Sequence, residues 1–575
     1  MTQLDSSLSI EPSPSGAADS HAVRILWLIL ILATLYFCYF HRLGALGLVG
    51  PDEPRYAWVA REMAETGDLV TPMLFGKPWF EKPVLYYWAA AKTFKLFGVS
   101  EASARFPSAF SALLATLAMA WLAWKLYGRE PARWLLLLLP LTVGMIGFSH
   151  AAATDMLFSG TLAIAMVTVA VILGLTRNGN SPILPRTPWL ALVLFGFFLG
   201  LAVLAKGPAA IILSGGTVFV WAAFTKRWRD SFRCLHPAAI LSFSLTALPW
   251  YILCARRNPD FLRVFIVEHN FQRFLTPEFQ HMQPFWFYVP IILIAIFPWT
   301  ILLLAGVLKV SKISRFGTSN HAKLVFFLSW ALLTLAFFSI SKSKLPGYIL
   351  PALPAIAMLI SHYTTQLLIE GKSSGRWIFV LSGAAFLLLG LGVQRYSGTV
   401  PAMQCVSPLC GITRIWSLAV VGGVVIALLG VIRRYTFSLL AIALTTLLLV
   451  IELDRFLPNL DPGVSARDAT VVVKNVWPDF SAAHAAAWQL DRDYVYQLGF
   501  YFHEQIPEWQ SGTPKPEWLF VSKEQRQQAI EEGFKCAMYA VYPAVVPCRN
   551  EQSFAGLSGL AGNSRSVDGG DRQLR

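Results

Sequence analysis

Apolar runs of about twenty residues, separated by short polar or basic stretches, recur along most of this chain. That length matches the hydrocarbon thickness of a bilayer, and the pattern predicts membrane-spanning helices. They fall at about 23–40, 104–124, 133–150, 155–175, 188–205, 208–225, 237–254, 286–308, 322–340, 349–369, 376–394, 413–432 and 435–453, about thirteen in all. The first run is too long for a signal-peptide core and has no small-residue cleavage site, so it counts as a true span. Residues 1–22, rich in Ser and Pro, predict a disordered tail. Residues 23–453 then form one transmembrane module, broken near its start by a long polar loop at 42–103. After 453 the pattern changes. Strand-like runs at Tyr494–Phe502, Trp518–Val521 and Ala537–Val541 flank a helical stretch near Lys523–Gly533, predicting a small α/β domain over 454–550. The Gly-, Ser- and Asp-containing tail 551–575 predicts disorder. No internal repeat is visible.

Composition supports the membrane reading. The chain is 55% hydrophobic and only 14% charged, with a mean hydropathy of +0.54. A net charge of +14 would suit a nucleic-acid binder, but the basic residues collect in alternate loops. One set holds Lys125, Arg129 and Arg133; Arg177 and Arg186; Lys226, Arg227, Arg229 and Arg233; Lys309, Lys312, Arg315 and Lys323; Lys372 and Arg376; Arg433 and Arg434. Short loops rich in Lys and Arg face the cytoplasm, so the charge sets orientation and no nucleic-acid partner is expected. The N-terminus is then cytoplasmic. The 42–103 loop, the turns at Asp155 and Lys206, segments 255–285, 341–348 and 395–412, and everything after 454 lie outside. Cysteines agree with this: Cys405 with Cys410, and Cys536 with Cys548, share outside segments where two disulfides would form. Cys38, Cys234 and Cys254 lie in or near spans. No Cys/His spacing resembles a zinc finger.

The outside segments also hold the densest chemistry. Gly50-Pro-Asp-Glu-Pro-Arg-Tyr56 and Phe80-Glu-Lys-Pro83 set Asp52, Glu53, Arg55, Glu81 and Lys82 beside the membrane. Each feature has a structural reading. Asp52-Glu53-Pro54 is a helix start, a role compatible with a carboxylate base fixed in place. Glu81-Lys82 could be solvated charge beside an interfacial aromatic belt. Asp155 could cap the span that it opens. Lys206, in a tight hairpin between spans, could snorkel to the interface. Val267-Glu-His-Asn-Phe-Gln-Arg-Phe274 followed by His281 adds an acid, two imidazoles and an arginine; Ser341-Lys-Ser-Lys-Leu-Pro-Gly-Tyr348 adds two cations and a phenol. Carboxylates, cations and aromatic surface at one membrane face suit transfer of a sugar from a lipid phosphate, a leaving group that needs charge neutralisation more than a proton donor. A transporter or flippase would instead place ionisable groups near the bilayer midplane, where the spans have almost none. A lipid-binding scaffold without catalysis would have no need of Asp52, Asp155 and Glu81 together.

Taken in order over about 45–360, Gly-Pro-Asp-Glu-x-Arg-Tyr, Phe-Glu-Lys-Pro, Asp155, Lys206-Gly207, Val-Glu-His-x-x-Gln-Arg-Phe with its later His and Pro-Phe-Trp-x-Tyr-x-Pro, and Lys-x-Lys-Leu-Pro-x-Tyr resemble the bacterial lipid A aminoarabinose transferases. These are glycosyltransferases of the GT-C class, related to the protein O-mannosyltransferases. The resemblance implies a GT-C fold with periplasmic juxtamembrane helices in the first outer loop, in a multi-pass protein of the bacterial inner membrane. It implies an undecaprenyl-phosphate sugar donor and lipid A or another periplasmic glycan as acceptor, with a protein hydroxyl as an alternative. Asp52 and Asp155 become the catalytic carboxylates. Arg55, Tyr56, Lys82, Lys206, Arg273, Lys344 and Tyr348 become donor-phosphate ligands, and Glu81 with His269 the contacts of a divalent, zinc- or magnesium-like ion. Membrane lipids are the surroundings and a monomer is expected. Glu53 receives no role.

Overall fold

The computed structural model describes residues 21–176, 188–272, 282–310, 318–371, 375–397, 411–537 and 544–550. The expectations for 1–20 and 551–575, the Cys405/Cys410 pair, Arg273 and His281 lie outside them. Among the described residues ten helices are long and apolar enough to cross a membrane. Two bent helix pairs and the shorter helix Ala209–Thr225 fall on the other three predicted runs, so each of the thirteen has a helical counterpart.

Local chemistry explains the breaks. The chain enters as α1 (His21–Tyr39), passes through α2 (Asp52–Thr66) and α3 (Leu85–Phe97), and returns as α4 (Glu101–Tyr127). Ser100 caps α4 by accepting a hydrogen bond from the Ser103 amide at 3.2 Å, satisfying a donor that the helix leaves open. The run predicted at 133–150 is split into α5 (Arg129–Leu138) and α6 (Val143–Ser149), bent by 59°. Pro140 cannot donate to the helix ladder, and Thr142 starts α6 afresh by accepting from the Met145 amide. Pro298 separates a second pair, Tyr288–Ala295 and Thr300–Lys309, bent by 115°. The helices α7 (Thr154–Ile172), α8 (Trp189–Lys206) and α9 (Ala209–Thr225) follow α6. On α1, Ile25, Leu26, Leu28, Ile29 and Leu32 point outward while Thr34, Leu35, Cys38 and Tyr39 are buried. Apolar residues outside and a hydroxyl inside is the arrangement expected where lipid is the solvent; the Tyr39 and Thr116 hydroxyls hydrogen-bond in the interior at 2.8 Å.

The two helices of the first polar loop, α2 and α3, are the expected juxtamembrane pair. A hairpin of β1 (Met73–Leu74) and β2 (Lys77–Pro78) joins them. Gly67, at φ +76, ends α2 in a backbone conformation that glycine adopts without strain.

The C-terminal sheet has strands β3 (Ala485–Trp488), β4 (Trp518–Ser522), β5 (Phe534–Cys536) and β6 (Val545–Asn550) in the order β3-β4-β6-β5. β3 and β4 are parallel and the other pairs antiparallel. Trp518 and Phe520 enter one apolar cluster and Leu519 and Val521 another, on opposite faces. A continuous apolar strand is the result. Cys536 and Cys548 form the expected disulfide, and Cys38, Cys234 and Cys254 are buried thiols. One strand expectation fails. Tyr494–Phe502 is a helix, Arg492–Phe502, which buries Leu498 with Tyr494, Val495 and Phe502 against the sheet cluster and Phe500 with Tyr496 and Tyr501 against the transmembrane core. An aromatic run buried on two sides imitates strand composition. Of the strand expected at 537–541, residues 538–541 lie outside the described residues; β5 is Phe534–Cys536.

Candidate functional site

The site begins at α2. Pro51, not Asp52, occupies the cap position, and no side chain caps this helix. The carboxylate of Asp52 in the first turn instead pairs with Arg55, one turn on. The capping role expected for Asp52 is therefore not seen. Arg55 also donates from Nε to the Pro51 carbonyl at 2.8 Å and lies 3.2 Å from Glu81, which Lys82 contacts at 3.1 Å. Glu81-Lys82 is thus part of one ion cluster with Asp52 and Arg55, not solvated charge. Burial disfavours the charged form of Arg55, but Glu81, Tyr56 and Asp52 outweigh it and hold its pKa above the ordinary value.

Tyr56 is fully buried, packed with Tyr86 and Tyr87. Its ring lies 5.9 Å beneath the Arg55 guanidinium, so it supports the cluster from below instead of facing outward as a phosphate ligand.

A second cluster forms where α7 begins and α8 ends. Asp155 does not cap α7, whose cap residue is Ala153. Its carboxylate pairs with Lys206, the last residue of α8. The Lys206 ammonium lies 4.3 Å from the Tyr348 ring centroid and 5.7 Å from that of Phe158, a cation–π geometry that replaces the expected snorkelling. Gly347 makes the approach of Tyr348 feasible, because a Cβ there would stand 2.7 Å from Phe148 and 3.0 Å from the Asp155 carboxylate.

Lys344 is not brought to either cluster. It is buried and donates to the carbonyls of Gln283 at 3.0 Å and Ser341 at 2.6 Å. Burial and neighbouring Lys342 push its pKa down. It ties segment 341–345 to residues 282–283, a join reinforced by the Met282–Ser343 bridge.

His269 sits on the π-helical segment Arg263–Gln272. With Glu81, Trp79, Phe80, Asn258 and Arg263 it lines a cavity of about 540 Å3. The expected metal pair therefore shares one wall. Among the described residues, however, no cluster of three or more His, Cys, Asp or Glu side chains suits a metal ion, and Glu81 already faces two cations. That donor set does not fit a metal held by the chain alone.

Glu53 proves central. It is buried and accepts from the Val49 amide at 2.8 Å, the Ala152 amide at 2.7 Å, and Arg105 Nε and Nη2 at 3.0 and 2.7 Å. Arg105 also donates to the carbonyls of Leu43, Leu46 and Gly47. The residue after Asp52 is thus bolted to the turn three residues before Asp155, and both acids are referred to one anchor. Arg105 lies just inside the apolar run at about 104–124 and has no role in the sequence reading. The signal that could have found it is an arginine within an otherwise apolar run.

The C-terminal region completes the surroundings. Arg467 donates to Asp461 and the Gly44 carbonyl at 2.7 and 2.9 Å, and the Tyr501 hydroxyl lies 3.0 Å from Glu101. The helix Arg492–Phe502 packs on α2, with Arg61 donating to the Phe500 carbonyl at 3.2 Å.

A bundle of this kind, with juxtamembrane helices carrying acids and cations at one end, is that of a polytopic membrane protein with the GT-C fold. The solved structure of ArnT from Cupriavidus metallidurans bound to undecaprenyl phosphate aligns over 93% of this chain and 99% of that one, with a TM-score of 0.72 at 20% identity; its apo state gives 0.70. Residues 24–265 match the family model described as dolichyl-phosphate-mannose-protein mannosyltransferase. In sequence the chain is similar to proteins named undecaprenyl phosphate-alpha-4-amino-4-deoxy-L-arabinose arabinosyl transferase: 33% identity over 363 residues to that of Edwardsiella ictaluri (63% of each chain) and 33% over 372 residues to that of Pseudomonas aeruginosa (64% of each). The match thus spans a little under two thirds of these relatives' length.

Proposed function

We propose that this chain is a glycosyltransferase that moves a sugar, 4-amino-4-deoxy-L-arabinose in the first instance, from an undecaprenyl-phosphate donor to lipid A or another periplasmic acceptor. The observation that carries the reading is the Asp52–Arg55–Glu81–Lys82 cluster, in a chain similar to transferases named for that donor and sugar. In this reaction an acceptor oxygen bonds to the anomeric carbon while the bond from that carbon to the phosphate oxygen breaks, and undecaprenyl phosphate leaves. Arg55 and Lys82, with Arg273 as a further cation, neutralise the departing phosphate. Asp52, its side chain 47% exposed, takes the proton of an acceptor hydroxyl. An ionised acceptor phosphate brings no proton, and Asp52 then stabilises positive charge developing on the sugar ring. Asp155 is the second acid, oriented by Lys206 beneath Tyr348. No step is routed through a metal.

The family model over 24–265 favours one other reading, transfer of a hexose to a protein hydroxyl. Mass spectrometry of lipid A and of envelope glycoproteins, with and without the gene, separates the two. Loss of an aminopentose from lipid A is the expected result; loss of a protein-linked hexose would select the second reading; no change in either would overturn both. The proposed orientation, N-terminus cytoplasmic and C-terminus periplasmic, predicts that alkaline phosphatase fused after residue 460 is active. A fluorescent fusion that glows there with inactive phosphatase would reverse the topology.

A further inference from the structure

The guanidinium of Arg55 is gripped in two ways. Its edge meets the Pro51 carbonyl, Asp52 and Glu81. Aromatic rings surround it as well: Trp79 at 5.3 Å, Tyr496 at 5.4 Å and Tyr56 at 5.9 Å. Trp79 and Tyr56 belong to the same outer loop as Arg55. Tyr496 comes from the C-terminal helix Arg492–Phe502, more than 400 positions away and beyond the region that matches the family model.

Tyr496 is itself fixed. Its ring stacks on Phe75, with centroids 6.0 Å apart and planes at 13°. Phe75, at the tip of the β1–β2 hairpin, reaches the helix because Gly499 leaves room: a Cβ there would lie 3.0 Å from the Phe75 ring. The hydrogen bonds from Arg61 to the Phe500 carbonyl and between Tyr501 and Glu101 hold the same helix on its other turns. The tyrosine therefore reaches the cation from a rigid support.

We propose that Tyr496 is a positioning residue for Arg55, so that the C-terminal region completes the site that binds the donor phosphate. The Pro51 carbonyl and the two carboxylates hold the guanidinium only by its edge. A ring face attracts the cation through its quadrupole without taking a hydrogen-bond donor. It fixes the plane in which the remaining N–H groups can meet an anion. The hydroxyl of Tyr496 has no part in this, so phenylalanine should serve as well, whereas leucine fills similar space without a π face.

This inference rests on the reading of Arg55 as a donor-phosphate ligand, and the experiment separates the two. Full-length protein in nanodiscs is titrated with undecaprenyl phosphate, and donor KM and kcat are measured in parallel for wild type, Tyr496→Phe, Tyr496→Leu, Arg55→Ala and Lys82→Ala. Tyr496→Leu should weaken lipid-phosphate binding and raise donor KM by about 2- to 30-fold, the span of cation–π contacts, with a much smaller change in kcat. Tyr496→Phe should remain within about twofold of wild type by the same argument. Adding Tyr496→Leu to Arg55→Ala should cause no further loss, a result that a purely structural tyrosine would not give. Wild-type affinity in Tyr496→Leu, beside weakened Arg55→Ala and Lys82→Ala, would overturn this inference alone. Additive loss in the double variant would do the same. Wild-type affinity in both Arg55→Ala and Lys82→Ala would overturn the donor-site reading and this inference with it. If Tyr496→Leu does not fold, Tyr496→Met, also without a ring, is read by the same criteria.

Discussion

Asp52 and Glu53 are neighbours in one helical turn, yet they have opposite environments. Glu53 is buried and takes four hydrogen bonds, two of them from a single arginine. Asp52 is about half-exposed and, among the described residues, has one hydrogen-bonding partner, Arg55. A carboxylate whose lone pairs are all engaged can neither accept a substrate proton nor approach a sugar. One with open lone pairs at the mouth of a site can do both. Adjacency in sequence thus hides a division of labour: Glu53 fixes where the helix sits, and Asp52 remains available for chemistry.

The sharpest way to break that contrast is to neutralise each acid in turn. Asp52→Asn should cut turnover by about a hundred- to ten-thousandfold, the usual worth of general-base assistance, with donor binding and melting temperature nearly unchanged. Measured turnover above roughly a tenth of wild type would fall well short of that range and move the catalytic assignment to Asp155. Glu53→Ala should act on the fold. Removing one member of a buried ion pair leaves the other charged and unpaired, at about 3–5 kcal/mol, so the yield of folded protein and the melting temperature should drop sharply. A Glu53→Ala protein that melts like wild type would remove the anchor from the argument.

Much of the fold was legible because a membrane span is a one-dimensional signal: about twenty apolar residues need no knowledge of their neighbours. The grouping of acids and cations in the outer loops was legible for the same reason. What could not be read was pairing at a distance. Lys206 and Asp155 are 51 positions apart, and the sequence offered snorkelling and capping as separate explanations for two halves of one ion pair. Arg105 has no role in the sequence reading although it holds Glu53, and Lys344 reads as a phosphate ligand although it is spent on two backbone carbonyls. The helix Arg492–Phe502 reads as a strand because Tyr, Val and Phe are buried on two of its faces at once, against the sheet and against the transmembrane core and α2.

Between the engaged acid and the open one stands Glu81, which Arg55 and Lys82 both contact. Lys82→Ala tests whether those cations serve the carboxylate or the donor. A charge-assisted contact is worth about 1.5–3 kcal/mol, or roughly ten- to a hundredfold. Donor affinity should fall by that factor, and stability should fall less than at Glu53, because Glu81, though its side chain is only 10% exposed, keeps Arg55 as a partner. Unchanged affinity for undecaprenyl phosphate would make Lys82 a partner of Glu81 only.

The smallest effect is expected at a third kind of carboxylate, neither fully engaged nor open to substrate. Asp493 lies in the first turn of the C-terminal helix with its side chain 38% exposed and 4.0 Å from Arg492. Burial pushes its pKa up; Arg492 and Arg55 pull it back, while Asp491 and Asp52 add to the rise, and the outcome is a raised value. A carboxyl whose folded pKa exceeds its unfolded one favours the fold most when protonated. Its contribution is complete below the unfolded value near pH 4 and is lost as pH climbs through the folded value. Asp493→Asn removes that loss, so the variant should melt slightly above wild type at neutral pH, and the gap should close as the pH falls toward 4. Solvent reaches this side chain and screens the field around it, which is why the shift should be small. In the Asp52→Asn background it should be smaller still, because one of the repelling charges has gone. An Asp493→Asn protein that melts below wild type at neutral pH would show that the carboxylate is held by its cations more firmly than burial opposes it, placing it beside Glu53 and not between Glu53 and Asp52.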